Sequence, residues 1–286
     1  MPLTVRGRWP FPVRGRHADD CEPRRGPWRP HPRPAPFPAG QNMTNPIVAK
    51  ISRKIRKYRE KREWKRRQSE FAHHAVAKEF DWDWKAMPQK RMDVVQHLVR
   101  TVAGDRTRYL EIGCFNDDLF NTVNAAVKVG VDPESGGTHR TTSDDFFAGN
   151  HDQFDVIFID GLHEYEQVRR DAINALACLA PGGVIAFHDF LPRNWKEQHV
   201  PRLQSTWTGD CWKAAYELSR SEGVDFRIIR IDHGVGVMRK TSENPVVIDL
   251  RPELSDSQFD YFCNIVDDLP VIDWAGFQAW SSRPAA

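Results

Sequence analysis

The stretch Phe154–Ile159, FDVIFI, constrains the fold of this chain more than any other six residues in it. Its side chains are apolar with no alternation apart from Asp155, which is the pattern of a strand covered on both faces. Such a strand needs helices above and below its sheet, and the flanking sequence supplies them. An amphipathic helix is expected over 164–179, with Tyr165, Val168, Ala172, Ala175, Leu176 and Leu179 on one side. Pro181–Gly182–Gly183 breaks it before a strand at 184–187. Upstream, a strand at 108–112 ends at Gly113, 117–123 reads as a helix, and a strand at 127–131 ends at Asp132. Ser135–Gly136–Gly137 is a loop, and 139–142 reads as a short strand before 144–147. Downstream, a helix at 211–219 precedes strands at 226–231 and 235–239, joined by Asp232–His233–Gly234, which is hairpin chemistry. This alternation predicts an α/β fold: a doubly wound, mainly parallel sheet whose last strand is antiparallel.

Charge divides the chain unevenly. Residues 1–70 carry 19 Lys and Arg against 6 Asp and Glu, which leaves 22 against 33 for the remainder. A basic arm on an acidic body implies contact with something anionic or with the body itself. Residues 1–42 are rich in Pro and Arg without an apolar period and read as disordered. Met43 is an alternative translation start. From 43 to 87 the chain reads as a basic helical extension in which Ile47, Ile51, Ile55 and Tyr58 form a narrow stripe. That stripe packs on the domain, or meets an anionic membrane surface or nucleic acid. The catalytic domain is expected at 88–241, starting with a helix at 89–102, and a tail at 242–286 carries one helix from Ser255 with Phe259, Phe262 and Val266 on a face. No apolar run approaches 18 residues, and the basic N-terminus has no apolar stretch of signal type. Five scattered cysteines without CxxC spacing fit a reduced, cytoplasmic setting and not a zinc site.

In an open parallel sheet, ligands bind beyond the carboxyl ends of the strands where the winding reverses. Glu111 and Gly113 stand at the end of the first strand, and Asp132 ends the second, nineteen residues beyond Gly113. That spacing suits a carboxylate accepting from a ribose diol; alternatively, Gly113 makes a turn and Asp132 caps a loop. Phe115 and Asp118 occupy the places where a dinucleotide site needs glycines for its pyrophosphate, which disfavours NAD. Asp160, Gly161 and His163 follow the fourth strand, and His188 and Asp189 end the fifth.

The EIGC turn, VGVDP, FDVIFIDGLHEYEQVRRD, the LAPGG turn and AFHD together resemble the class I S-adenosylmethionine-dependent methyltransferases. Within these they are most similar to the branch called methyltransferase family 24, with a layout like catechol O-methyltransferase. The resemblance covers about 105–241. It implies a seven-stranded Rossmann-like sheet, S-adenosylmethionine as donor and a small-molecule hydroxyl, sugar- or metabolite-like, as acceptor. It also implies that Glu111 and Gly113 line the methionine end of the cofactor, that Asp160 also touches the cofactor, that Asp132 holds the ribose, and that Ser143 and Asp144 sit near the adenine. Asp117, standing where a small residue is usual, would meet the ammonium. In metal-dependent relatives the positions of Asp160, His188 and Asp189 ligate Mg or Mn, and His163 stands near the acceptor hydroxyl as base, with Asp160 beside it. His188 departs from the usual Asp, and its imidazole suits Mn, Fe, Co or Zn better than Mg. His163 read alone caps the helix that follows it, and His188 read alone is a buried, hydrogen-bonded histidine. An RNA-directed methyltransferase using the basic arm and a non-catalytic cofactor-binding module at a membrane surface are the alternatives.

Overall fold

The computed structural model describes residues 46–84 and 86–283. The expectations for 1–42, and for the side chains of Ile47 and Ile51, lie outside the described residues. The chain divides into two compact units, Met1–Ile51 and Ser52–Ala286. Of the first unit only the opening of helix α1 (Pro46–Glu70) is described.

The second unit continues α1 and then runs α2 (Arg91–Val102), β1 (Arg108–Ile112), β2 (Val127–Val131), α3 (Ser143–Gly149), β3 (Phe154–Ile159), α4 (Tyr165–Cys178) and β4 (Leu179–Phe187). It ends with α5 (Trp195–Gln198), α6 (Trp212–Ser219), β5 (Val224–Ile229), β6 (Val235–Lys240), α7 (Arg251–Leu254), α8 (Phe259–Ile265), β7 (Val271–Ile272) and α9 (Trp274–Ser281). The strands form one seven-stranded sheet in the order β2-β1-β3-β4-β6-β5-β7. All neighbours are parallel except β6, which is antiparallel to both β4 and β5. The winding reverses between β1 and β3, because the chain goes from β1 outward to β2 and returns across β1 to β3. That reversal opens the crevice in which such sheets bind ligands.

The unbroken apolar character of β3 is explained by two cores. Ile157 and Ile159 pack with Tyr165, Val168 and Ala172 of α4 on one face. Val156 and Phe158 pack with Val94, Val95 and Leu98 of α2 on the other.

Three expectations change. Residues 139–142 are not a strand: His139 makes a single bridge to Val131 before the chain turns into α3, whose N-cap is Thr142. The seventh strand is instead β7, paired in parallel with β5 through Ile228–Val271 and Ile229–Ile272. The sheet therefore extends past residue 241, and Phe259, Phe262 and Phe277 of the C-terminal segment are fully buried. A helix at 117–123 is reduced to a 3-10 turn at Phe120–Thr122, since Asp117 has φ +62°, a left-handed conformation that a right-handed helix cannot start from. Finally, of the stripe on α1 the described residues Ile55 and Tyr58 are exposed, and the face turned to the body carries Trp64, Gln68 and Phe71. No helix among the described residues is long and apolar enough to cross a membrane.

Candidate active site

Six non-glycine residues among those described have positive φ, and five of them stand at the carboxyl ends of strands around the crevice: Phe115 and Asp117 after β1, Asp189 after β4, and Asp232 and His233 after β5. Each such residue costs on the order of 1–3 kcal/mol and persists only where its surroundings enforce it, so this clustering marks the crevice as functional.

On the β1–β2 side the site is made of backbone. Gly113 has φ +89°, and a Cβ there would lie 2.2 Å from the Asp160 carbonyl oxygen, so only glycine lets the ends of β1 and β3 approach. Phe115 and Asp117 keep the left-handed turn that glycines ordinarily provide. Asp117 Oδ1 accepts from the Gly137 N–H at 2.6 Å and ties the two loops together. Asp132 accepts from the Phe115 N–H on Oδ2 (3.0 Å) and from the Glu134 and Ser135 N–H groups on Oδ1 (2.7 and 2.8 Å). Three of its roughly four acceptor positions are thus taken, and the Arg140 guanidinium lies 4.0 Å from Oδ1. Glu111 is buried and accepts from the Tyr109 hydroxyl at 2.6 Å; burial pushes its carboxyl up to about 7. Ser143 and Asp144 belong to a separate network. Gln167 Nε2 donates to both, at 3.0 and 3.2 Å, and to Asp171, whose carboxyl burial raises to about 6.

Across the crevice the construction is charge on charge. His163 Nδ1 donates to Asp189 Oδ2 at 2.7 Å, and its Nε2 lies 3.4 Å from Asp160 Oδ1. His188 Nδ1 sits 3.2 Å from both Asp160 Oδ1 and Asp189 Oδ1. Burial pulls the His163 imidazole down, but the charge of Asp189 and hydrogen bonds to Asp160 and Asp189 outweigh it and hold it at about 10. Burial opposes the charge of Asp160 in the same way, yet His188 and His163 bring its carboxyl to about 2. His188 is likewise raised and Asp189 lowered by their mutual charges, against the effect of burial.

Two residues complete the cluster that the sequence reading did not single out for chemistry. Arg91, at the start of α2, places Nε 3.4 Å from Asp160 Oδ2 and donates its backbone N–H to Asp232 Oδ2 at 3.0 Å. Asp232, read only as a hairpin residue, lies 3.8 Å from His188 Nε2, a buried nitrogen with no hydrogen-bond partner. Nothing in the local sequence around Arg91 signals the role; for Asp232, an acid at a strand end in a hairpin was the available sign. Trp207 stacks on His163 with centroids 5.4 Å apart and planes at 12°. Trp212, by contrast, is core: it is fully buried and donates Nε1–H to Gln198 at 3.0 Å.

The structure thus brings Glu111, Gly113, Asp117 and Asp132 to one wall, and Asp160, His163, His188 and Asp189 to the other. The walls join where the Asp160 N–H donates to the Ile112 carbonyl at 2.8 Å. For a divalent ion, Asp160, His163 and Asp189 offer ligand atoms that all lie within 4.8 Å of one another. His188 Nδ1 also lies 3.2 Å from Asp160 Oδ1 and from Asp189 Oδ1, so both histidines adjoin the two carboxylates.

Residues 94–190 match a family model described as a methyltransferase domain. Over this segment the chain is similar to methyltransferase domains, and its strand order is that of a Rossmann-like sheet. No curated protein matches the sequence. Among solved structures, the chain is similar to the sugar N-methyltransferase KedS8 from Streptoalloteichus sp ATCC 53650 over 41% of its length, with 15% identity and a TM-score of 0.30, and spans 56% of that protein. It is also similar to CalS10, an amino pentose methyltransferase from Micromonospora echinaspora (14% identity, 56% and 95% covered, TM-score 0.37). The methyltransferase PaMTH1 from Podospora anserina aligns at 15% identity over 56% and 86% of the two chains, with a TM-score of 0.39.

Proposed function

We propose that the protein transfers a methyl group from S-adenosylmethionine to a hydroxyl of a small, sugar- or metabolite-like acceptor. The single observation that carries this reading is the meeting of a backbone-built crevice at Gly113 and Asp132 with the Asp160–His163–Asp189 cluster, across one reversal of the sheet. When bound, the cofactor supplies an electrophilic methyl on a sulfonium. Glu111, Gly113, Asp117 and Asp132 would hold it, Asp132 through its remaining acceptor position on the ribose, with Ser143 and Asp144 on the adenine side. In the transfer, an acceptor lone pair forms the O–C bond, the C–S bond breaks with its pair going to sulfur, and the hydroxyl proton leaves to the protein.

His163 is the proposed recipient of that proton, but in the resting geometry both of its nitrogens face carboxylates and it is already protonated. It accepts only after losing that proton, for which a cation between Asp160 and Asp189 is the natural cause. Asp160, His163 and Asp189 fit such a cation, Mn better than Mg with one imidazole among the donors, and it would lower the pKa of an oxygen it contacts. His163 then serves as ligand or as base, not both through one nitrogen.

Incubation with methyl-labelled cofactor and a metabolite extract should yield a labelled product by mass spectrometry. No product, together with no cofactor binding by calorimetry, sinks the reading. Full activity after EDTA treatment, unchanged by added Mg or Mn, removes the metal and leaves His163 alone.

One observation supports a peripheral location on an anionic membrane facing the cytoplasm. Residues 54–62 are exposed on all sides and hold six Lys or Arg against one Glu, with Ile55 and Tyr58 one turn apart. Flotation with anionic vesicles that is abolished by high salt supports this; no flotation at low salt removes it.

A further inference from the structure

The second half of α1 meets the loop 199–209 of the body, and that loop lies against His163. Gln68 donates to the Leu203 carbonyl at 2.7 Å, and Arg67 to the Arg202 carbonyl at 3.3 Å. The Arg202 guanidinium lies 5.9 Å from the Trp64 ring centroid and 5.6 Å from that of Trp207, within cation–π reach of both. Arg202 also donates to the Gln204 carbonyl at 2.8 Å and to that of Ser205, which closes the loop on itself. The next layer is the Trp207 ring stacked on His163, and Trp207 Nε1–H is fixed by the His199 carbonyl at 2.8 Å. From behind, Gly209 lies so near that a Cβ there would stand 1.6 Å from the His163 carbonyl oxygen. His163 therefore stands at the end of a continuous stack: Trp64, Arg202, Trp207, His163.

We propose that this stack makes the N-terminal extension part of the acceptor site, with Trp64 and Arg202 as positioning residues that set where Trp207 and His163 meet the acceptor. The inference rests on the methyl-transfer reading above. It differs from the view of α1 as an arm or a membrane element, because it concerns Trp64 and not the exposed residues 54–62. A guanidinium is delocalised and can meet both rings while donating to the loop carbonyls; an ammonium keeps the charge but not that fork of donors. Nothing in the stack reaches the β1–β2 wall, so the donor side should not register its loss.

The test uses the full chain and the methyl-accepting fraction isolated from the metabolite extract. For Trp64→Ala and Arg202→Lys, the half-saturating concentration of that fraction should rise about two- to fivefold, the factor one exposed cation–π contact supplies. Half-saturation for S-adenosylmethionine should stay unchanged, and Trp64→Phe should recover most of the loss. Arg202 is exposed, so Arg202→Lys stays interpretable even if Trp64→Ala folds poorly. Unchanged acceptor saturation in Arg202→Lys, or an equal rise for donor and acceptor, overturns the proposal while leaving the methyltransferase reading intact. A wild-type protein that binds no cofactor and labels nothing overturns both.

Discussion

The two walls of the crevice solve the same problem by different means. At β1 and β2 a carboxylate, Asp132, is satisfied by three backbone N–H groups, and the loops are held by positive φ and a glycine that no other residue can replace. At β3, β4 and the β5–β6 hairpin, three aspartates are balanced by two histidines and Arg91, side chain against side chain. Backbone amides hold their geometry at any pH, and on that wall Glu111 is the group that burial brings to about 7. The opposite wall is built of titratable groups, which can exchange a proton or a cation. The contrast yields four measurements.

The largest effect is expected on the charged wall. Asp189→Ala removes a buried carboxylate that both histidines use, and breaking such a pair costs about 3–5 kcal/mol, read by urea unfolding. A loss under 1 kcal/mol would mean that the histidines are neutral and the charge balance is wrong.

Gly113→Ala comes next. Left-handed strain and a contact at 2.2 Å with the Asp160 carbonyl should together cost about 2–4 kcal/mol of stability. A neutral outcome would show that the strand ends can part, so the backbone wall is not rigid.

Asp132→Ala should weaken S-adenosylmethionine binding by about 1.5–3 kcal/mol in calorimetry, the value of hydrogen bonds to a charged group. Unchanged affinity would reduce Asp132 to a loop cap and sharpen the contrast, since the backbone wall would then act by shape alone.

The last measurement is the pH dependence of stability. His163 sits at about 10 against an ordinary 6.5, so its contribution is complete below pH 6.5 and is lost as pH rises through about 10. Asp160, at about 2 against 3.8, contributes above pH 3.8 and loses that contribution as pH falls through about 2. Glu111 works the other way: held near 7 by burial, it subtracts stability as pH rises from 4.5 through 7. His163→Gln should therefore flatten the alkaline decline in melting temperature between 6.5 and 10, and leave the acid limb in place. An alkaline limb of unchanged slope in the variant would show that His163 is not the group that titrates there.

The fold was largely legible because its signals are local. FDVIFI is a doubly covered strand wherever it occurs, and the amphipathic period over 164–179 predicts the helix that became Tyr165–Cys178. The misreadings fall where one residue outweighs a pattern. Asp117 stops a helix by its backbone conformation, and 139–142 lacks the neighbour that would make it a strand. Likewise α1 was read from isoleucine spacing, yet it docks through Trp64 and Gln68, which follow no apolar period.

The sequence by itself determined the alternation of strands and helices, the apolar cores, and the strand ends at which Glu111, Gly113, Asp132, Asp160, His163, His188 and Asp189 stand. Those follow from side-chain period and turn chemistry within a few residues. Only the tertiary structure decided that β7 rather than 139–142 is the seventh strand, and that Arg91 and Asp232 join the charged wall. It likewise brought His163, and not His188 alone, against the two aspartates. Pairing between Arg91, Asp160 and Asp232 links positions separated by some seventy residues each, and the preference is set by distances of 3–4 Å that no local pattern encodes.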